Sequence, residues 1–276
     1  MEIDYDPGTV YYIFKHLDHS VPIIAVILYF LFIYFGQRIM KDRKPFDLKG
    51  VLAFWNLSLS LFSFYGAIRI VPHLLHRIMT LSFEDTVCEA AQISYGCGVA
   101  GLVSQLFVLS KIPELFDTVF IVLRKKPLIF LHWYHHITVL LYCWNSYITE
   151  SAAGIYFVAM NYTVHAIMYF YFFLQAVNLL PKWFPSYLIT LVQISQMFIG
   201  CFIVGACLYY DIYGGVKYAP KECHNASSTL IAGLLMYGSY TYLFLEFAIK
   251  RFIFGSATNS GSSASGGKNK KVKKVE

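Results

Sequence analysis

Charge is scarce in this chain. Charged residues fill 14% of its 276 positions and apolar ones 57%, whereas a soluble domain ordinarily carries about 25% charge. The charge that is present forms no basic, aromatic-interleaved surface, so the formal net charge of +6 gives no reason to expect a nucleic-acid partner. Much of that excess lies in the final stretch SATNSGSSASGGKNKKVKKVE. Its Gly/Ser background suits a flexible basic tail with too little apolar area to fold. Cysteine is sparse too: six residues do not make a disulfide-rich domain. The opening MEIDYDPG is acidic where a cleavable secretion signal is basic, so no such signal is expected.

Long apolar runs take the place of the missing charge. Seven of them, at 21–40, 51–72, 93–122, 128–144, 152–174, 186–210 and 229–249, read as membrane spans. Each must be helical, because an open strand in lipid leaves its amides unpaired. With the amino terminus in the lumen and the carboxyl terminus in the cytosol, the cytosolic segments hold 16 of the 22 Lys and Arg. That is the positive-inside arrangement. The chain divides into a lumenal segment 1–20, a transmembrane domain 21–254 and a basic cytosolic tail 255–276. Cys88 and Cys223 then fall in loops on the same oxidising side, as a disulfide or as two free thiols near the headgroups. Asn225 heads the one sequon in a lumenal loop and is the candidate glycan acceptor. The sequons at Asn56 and Asn161 lie inside spans.

Polar residues recur within the apolar runs at helical spacing, all in the cytosolic half of the membrane. The third span ends in KIPELFDTVFIVLRKK, where Lys111, Glu114 and Asp117 are three residues apart and Thr118 follows. The fourth begins HWYHH, and spacing i, i+3, i+4 puts His132, His135 and His136 on one helix face. The fifth carries Asn161, His165 and Tyr169 at successive turns; the sixth carries Thr190, Gln193 and Gln196. A polar group turned toward lipid is costly, so these faces are expected to meet around a shared interior. Single histidines elsewhere (His16, His19, His73, His76 and His224) read as hydrogen-bonded structural groups.

Two chemistries use clustered imidazoles. H-x-x-H-H invites a metal, but adjacent histidines on a helix point roughly 100° apart. Membrane di-iron oxidases also need more histidines than this depth supplies, so no metal is expected. The alternative is acyl transfer: a neutral imidazole attacks a thioester, a second histidine moves the proton, and amides or hydroxyls steady the oxyanion. A non-enzymatic transporter or receptor is the other class that seven spans permit, though nothing continues the polar path to the lumen.

Taken together, KIPELFDT, HWYHH, NYTVHAIMYFYF and TLVQISQ resemble the fatty-acid elongase family of the endoplasmic reticulum, over about residues 20–255. Phe172 stands where that pattern usually has a tyrosine. Within the family the chain is most similar to members acting on saturated and monounsaturated chains. The resemblance implies an all-α polytopic membrane protein of seven transmembrane helices, six of them an inverted barrel around an acyl tunnel. It implies condensation of malonyl-CoA with a long-chain acyl-CoA, without a cofactor, through an acyl-histidine. His135 is the implied nucleophile and His165 its proton-transfer partner. Asn161 orients the His165 ring or stabilises the forming enolate, and His132 and His136 support the site. Lys111, Glu114, Asp117, Tyr169, Gln193 and Gln196 are the implied substrate-binding set. The residues stopping the acyl tail are expected in the lumenal half of the last two helices. Ketoacyl-CoA reductase and hydroxyacyl-CoA dehydratase are the implied partners, and homo-oligomers are compatible with the pattern. Lys273 and Lys274, in the terminal KKVE, resemble a dilysine signal for retention in the endoplasmic reticulum.

Overall fold

Apolar runs placed in lipid must pair their own amides, and here they do so as helices. The computed structural model describes residues 8–17, 19–181, 183–217 and 223–254, and contains no strand among them. α1 (Gly8–Leu17), α2 (Ser20–Met40) and α3 (Lys49–Thr80) are followed by two short helices, α4 (Phe83–Cys88) and α5 (Ala91–Ser94). Next come α6 (Gly98–Ser110), a 3-10 turn (Pro113–Leu115) and α7 (Phe116–Leu123). The chain ends with α8 (Phe130–Ile148), α9 (Gly154–Ala176), α10 (Tyr187–Lys217) and α11 (Ser227–Ala248), the last continued by a π turn. The tail 255–276, with Lys273 and Lys274, lies outside the described residues, as do residues 1–7.

Five of the helices, α2, α3, α9, α10 and α11, are long and apolar enough to cross a membrane. Phe54, Leu61, Phe202, Leu235 and Tyr242 are exposed on them, an arrangement suited to hydrocarbon and poor in water. The other two expected spans are less regular. Residues 93–122 are not one helix: α5 stops at Ser94, Gly98 takes a φ of 61°, and Pro113 follows the end of α6. Proline has no N–H to donate and its ring excludes the carbonyl four residues back, so an α-helix cannot run through it undisturbed. α8 crosses the same bundle but carries three histidines in its first two turns.

The helix ends have local causes. Lys125, Glu150 and Asn178 follow α7, α8 and α9 with φ of 52°, 50° and 57°. At each, the next amide reaches back five residues: Lys126 to Ile121, Ser151 to Ser146 and Leu179 to Leu174. This paired closure satisfies carbonyls that a helix end leaves bare.

Packing closes a ring. α6 lies against α3, α8 and α9; α8 against α11; α11 against α10; α10 against α9; and α9 packs extensively on α3. α2 stays outside, touching α7 and α8. The α3–α9 contact is close because Gly66 offers no side chain: a Cβ there would lie 2.5 Å from the Tyr162 ring. Tyr162 in turn donates to the Val103 carbonyl at 2.9 Å and ties α9 to α6. α1, within the N-terminal segment, inserts Phe14 against Trp144 of α8, with ring centroids 4.5 Å apart.

One end of the ring is stitched shut. Cys88 Sγ and Cys223 Sγ are bonded at 2.08 Å, and the adjacent His224 amide donates to the Cys88 carbonyl. Arg77 pairs with Glu89 nearby in sequence. Asn225 belongs to this seam: it is 7% exposed, its Nδ2 donates to the Val87 carbonyl, and its Oδ1 accepts from Ser151 Oγ. The nitrogen of this candidate glycan acceptor is thus buried and bonded in this fold. His73, as expected of a structural histidine, donates to the Ser94 carbonyl at 2.7 Å.

Candidate active site

The break at Pro113 builds the centre of the site. In a 3-10 turn, residues three apart stack above one another, and the chain here brings Lys111 Nζ to 2.7 Å from Glu114 Oε1. Both are buried, at 2% and 3% exposure. A buried ion pair is tolerated only when its remaining hydrogen-bond capacity is met. Ser110 Oγ donates to the same Glu114 oxygen at 2.8 Å, and Lys111 Nζ also donates to Asn161 Oδ1 at 3.0 Å. The ammonium lies 4.2 Å from the centroid of the Phe107 ring.

From Asn161 the network continues along α9. Asn161 Nδ2 is 3.2 Å from His165 Nε2, and His165 Nδ1 is 3.8 Å from Glu114 Oε2. Asp117 turns elsewhere: it accepts from Trp55 Nε1 at 2.7 Å and from Tyr169 Oη at 2.6 Å. The three charges of the K-x-x-E-x-x-D stretch therefore do not form one ladder. Lys111 and Glu114 serve one cluster, and Asp117 fastens α7 to α3 and α9.

On α8 the three imidazoles share a face. The His132 and His136 ring centroids are 4.5 Å apart, and those of His135 and His136 5.5 Å. His132 Nε2 meets Thr118 Oγ1 at 2.9 Å, and that hydroxyl also meets Tyr29 Oη at 2.6 Å. His135 stands beside Tyr240 of α11, with centroids 5.1 Å apart. Tyr240 Oη donates to the His135 carbonyl at 3.2 Å and shares a bond with Thr138 Oγ1.

A narrow cavity runs from His135, Asn161 and Gln196 toward Tyr95, Tyr147 and Gly154, with ≈ 640 Å³ of space between atoms once its open side is included. Of the four histidines, His135 is in its wall and His132, His136 and His165 are not. Gln193 is outside the wall and donates to Met168 Sδ at 3.1 Å. At the far end Tyr95, which follows α5, meets the α8–α9 turn, and its Oη donates to the Ser151 carbonyl at 2.6 Å. The last two helices, expected to supply the stop, contribute mid-depth residues such as Met197 and Tyr237. Phe172 is exposed on the outer face of α9.

Several partners were not evident from the motifs. Trp55 had a readable signal, since an indole N–H inside a span needs an acceptor. Ser110 lies one turn before Glu114. Tyr29 and Tyr240 carry no such mark, because they sit among many tyrosines in apolar runs.

A buried polar cluster opening on a largely apolar cavity defines a membrane-embedded enzyme with a lipid-like substrate. The profile of the ELO (GNS1/SUR4) family matches residues 14–260, and the chain belongs to that family. It is 43% identical over 227 residues to very long chain fatty acid elongase 6 of Drosophila melanogaster, covering 82% of this chain and 70% of that protein. Very long chain fatty acid elongase 6 of Gallus gallus is 43% identical over 226 residues, covering 82% of both chains. Fatty acid elongase 3 of Trypanosoma brucei brucei is 38% identical over 265 residues, covering 86% of this chain and 85% of that one.

Proposed function

We propose that this chain is the 3-oxoacyl-CoA synthase of very-long-chain fatty acid elongation, working through an acyl-histidine on His135. The observation that carries this reading is the position of His135, which lines the cavity while its ring lies 5.5 Å from that of His136. A neutral ring nitrogen attacks the thioester carbonyl of an acyl-CoA. The C–S bond breaks, the acyl-imidazole forms, and the ring proton leaves with coenzyme A as its thiol. Malonyl-CoA then loses carbon dioxide, and its enolate attacks the acyl carbon. The C–N bond breaks, one proton is taken up, and a 3-ketoacyl-CoA two carbons longer is released.

His165 is the proton carrier of the second half-reaction, with Asn161 beside it to steady the enolate. Lys111 and Glu114 hold these groups in place, and Gln196 contacts the substrate. The enzyme resides in the endoplasmic reticulum membrane with the amino terminus lumenal and the disulfide end of the ring toward the lumen. A ketoacyl-CoA reductase and a hydroxyacyl-CoA dehydratase take the product onward.

The test separates the two half-reactions. Incubated with acyl-CoA alone, wild-type protein should release coenzyme A and gain the acyl mass; adding labelled malonyl-CoA should then yield the 3-keto product. His135→Ala should lose both. His165→Ala should keep the adduct and lose condensation by about 10²–10⁴-fold. An adduct of undiminished yield in His135→Ala would remove that residue from the role of nucleophile.

A further inference from the structure

The cavity wall is not uniformly apolar. Ser104 Oγ of α6, and Tyr142 Oη and Ser146 Oγ of α8, are buried without a hydrogen-bond partner, and all three residues line the cavity. Ser104 is 2% exposed and Tyr142 8%. Tyr142 and Ser146, one turn apart, are near enough to bond each other, which still leaves one of the pair's donors and the whole of Ser104 unmet. Other tyrosines in the same wall are satisfied: Tyr95 by the Ser151 carbonyl and Tyr240 by the His135 carbonyl. Native interiors leave few such groups unpaired, and each one asks for a reason.

We propose that this belt of hydroxyls receives an oxygen carried by the acyl chain, so that the substrates include hydroxyacyl-CoAs with the hydroxyl near the chain end. The inference rests on the reading that the acyl chain occupies this cavity, with its carbonyl at His135. Along α8, Tyr142 and Ser146 lie roughly 10 and 16 Å beyond His135, at 1.5 Å per residue. A zigzag alkyl chain of ~1.5 Å bonds advances roughly 1.25 Å per carbon, which sets the belt about 8 to 13 carbons from the acylated carbon. A hydroxyl at that depth can donate to one wall oxygen and accept from another. In a plain hydrocarbon tunnel the same hydroxyl would lose its water and gain nothing.

The experiment compares ω-hydroxyacyl-CoAs of about 10 to 14 carbons with unsubstituted acyl-CoAs of equal length. Labelled malonyl-CoA reports product, and the measured quantity is the ratio of the two kcat/KM values. Ser104→Ala, Tyr142→Phe and Ser146→Ala, singly and together, should each lower that ratio about fivefold for the chain length that reaches them. Tyr142→Phe removes a single oxygen and keeps the test interpretable should the triple variant not fold. Elongation of unsubstituted chains with a ratio unchanged across all variants overturns the hydroxyl belt. Absence of condensation with every substrate in the wild type overturns the synthase reading itself.

Discussion

Lys111 has donors and no acceptor, and that chemistry orders its neighbours. Its ammonium binds Asn161 Oδ1, so the amide nitrogen of Asn161 must face His165 Nε2. Nε2 then accepts, which leaves the His165 proton on Nδ1, the nitrogen facing Glu114. A single lysine thus fixes an amide orientation, and the amide fixes an imidazole tautomer. Asn161→Asp removes the donor at nearly constant volume. It should leave the acyl adduct forming on His135 while condensation falls by about 10²-fold or more. The check is single-turnover kinetics, with coenzyme A release and 3-keto product followed separately. Equal loss in the two phases would mean that Asn161 acts on His135 or on the whole fold instead.

At the scale of elements, the decisive departure from regularity is the break between α6 and α7. The spacing of Lys111, Glu114 and Asp117 reads as one polar helix face; Pro113 within it is the sign that the helix does not continue. The 3-10 turn stacks Lys111 on Glu114 and carries Asp117 round to Trp55 and Tyr169. Pro113→Ala restores an N–H and permits an unbroken α-helix, which turns α7 about its axis relative to α6. Activity should fall by about 10²-fold, the effect of an ångström-scale misplacement, while thermal stability changes little. Unchanged kcat/KM would show that neighbouring helices, and not the proline, set the turn. The helices, the shared depth of the polar residues and the common face of His132, His135 and His136 were legible in the sequence, because local periodicity determines them. The partners of Asp117 and Thr118 were not, since Trp55 and Tyr29 come from helices distant in sequence. Asn225 is the converse case: its sequon is local, but its burial depends on Val87 and Ser151, far away in the chain.

For the whole molecule, the ring of helices has two unlike ends. At one, the Cys88–Cys223 bond, the Asn225 seam and the fully buried Ala152 and Ala153 pack together. Tyr95 forms the last surface before that packing, held so near the chain that a Cβ on Gly154 would lie 2.0 Å from its hydroxyl. Tyr95→Ala should open the depth of a ring, roughly 5 Å or about four carbons, and lengthen the longest product by about two cycles. Chromatography of the elongated acyl chains reads the shift, and an unchanged distribution would place the stop elsewhere. A blind bore also makes selection lopsided. Each methylene that enters adds ~0.8 kcal/mol of transfer free energy, about fourfold in affinity, so preference declines stepwise toward shorter chains. Beyond the floor there is nothing further to gain, and one carbon too many must buckle the chain or lift its carbonyl away from the reacting groups. The enzyme is thereby a gauge with a graded scale on one side and a hard stop on the other.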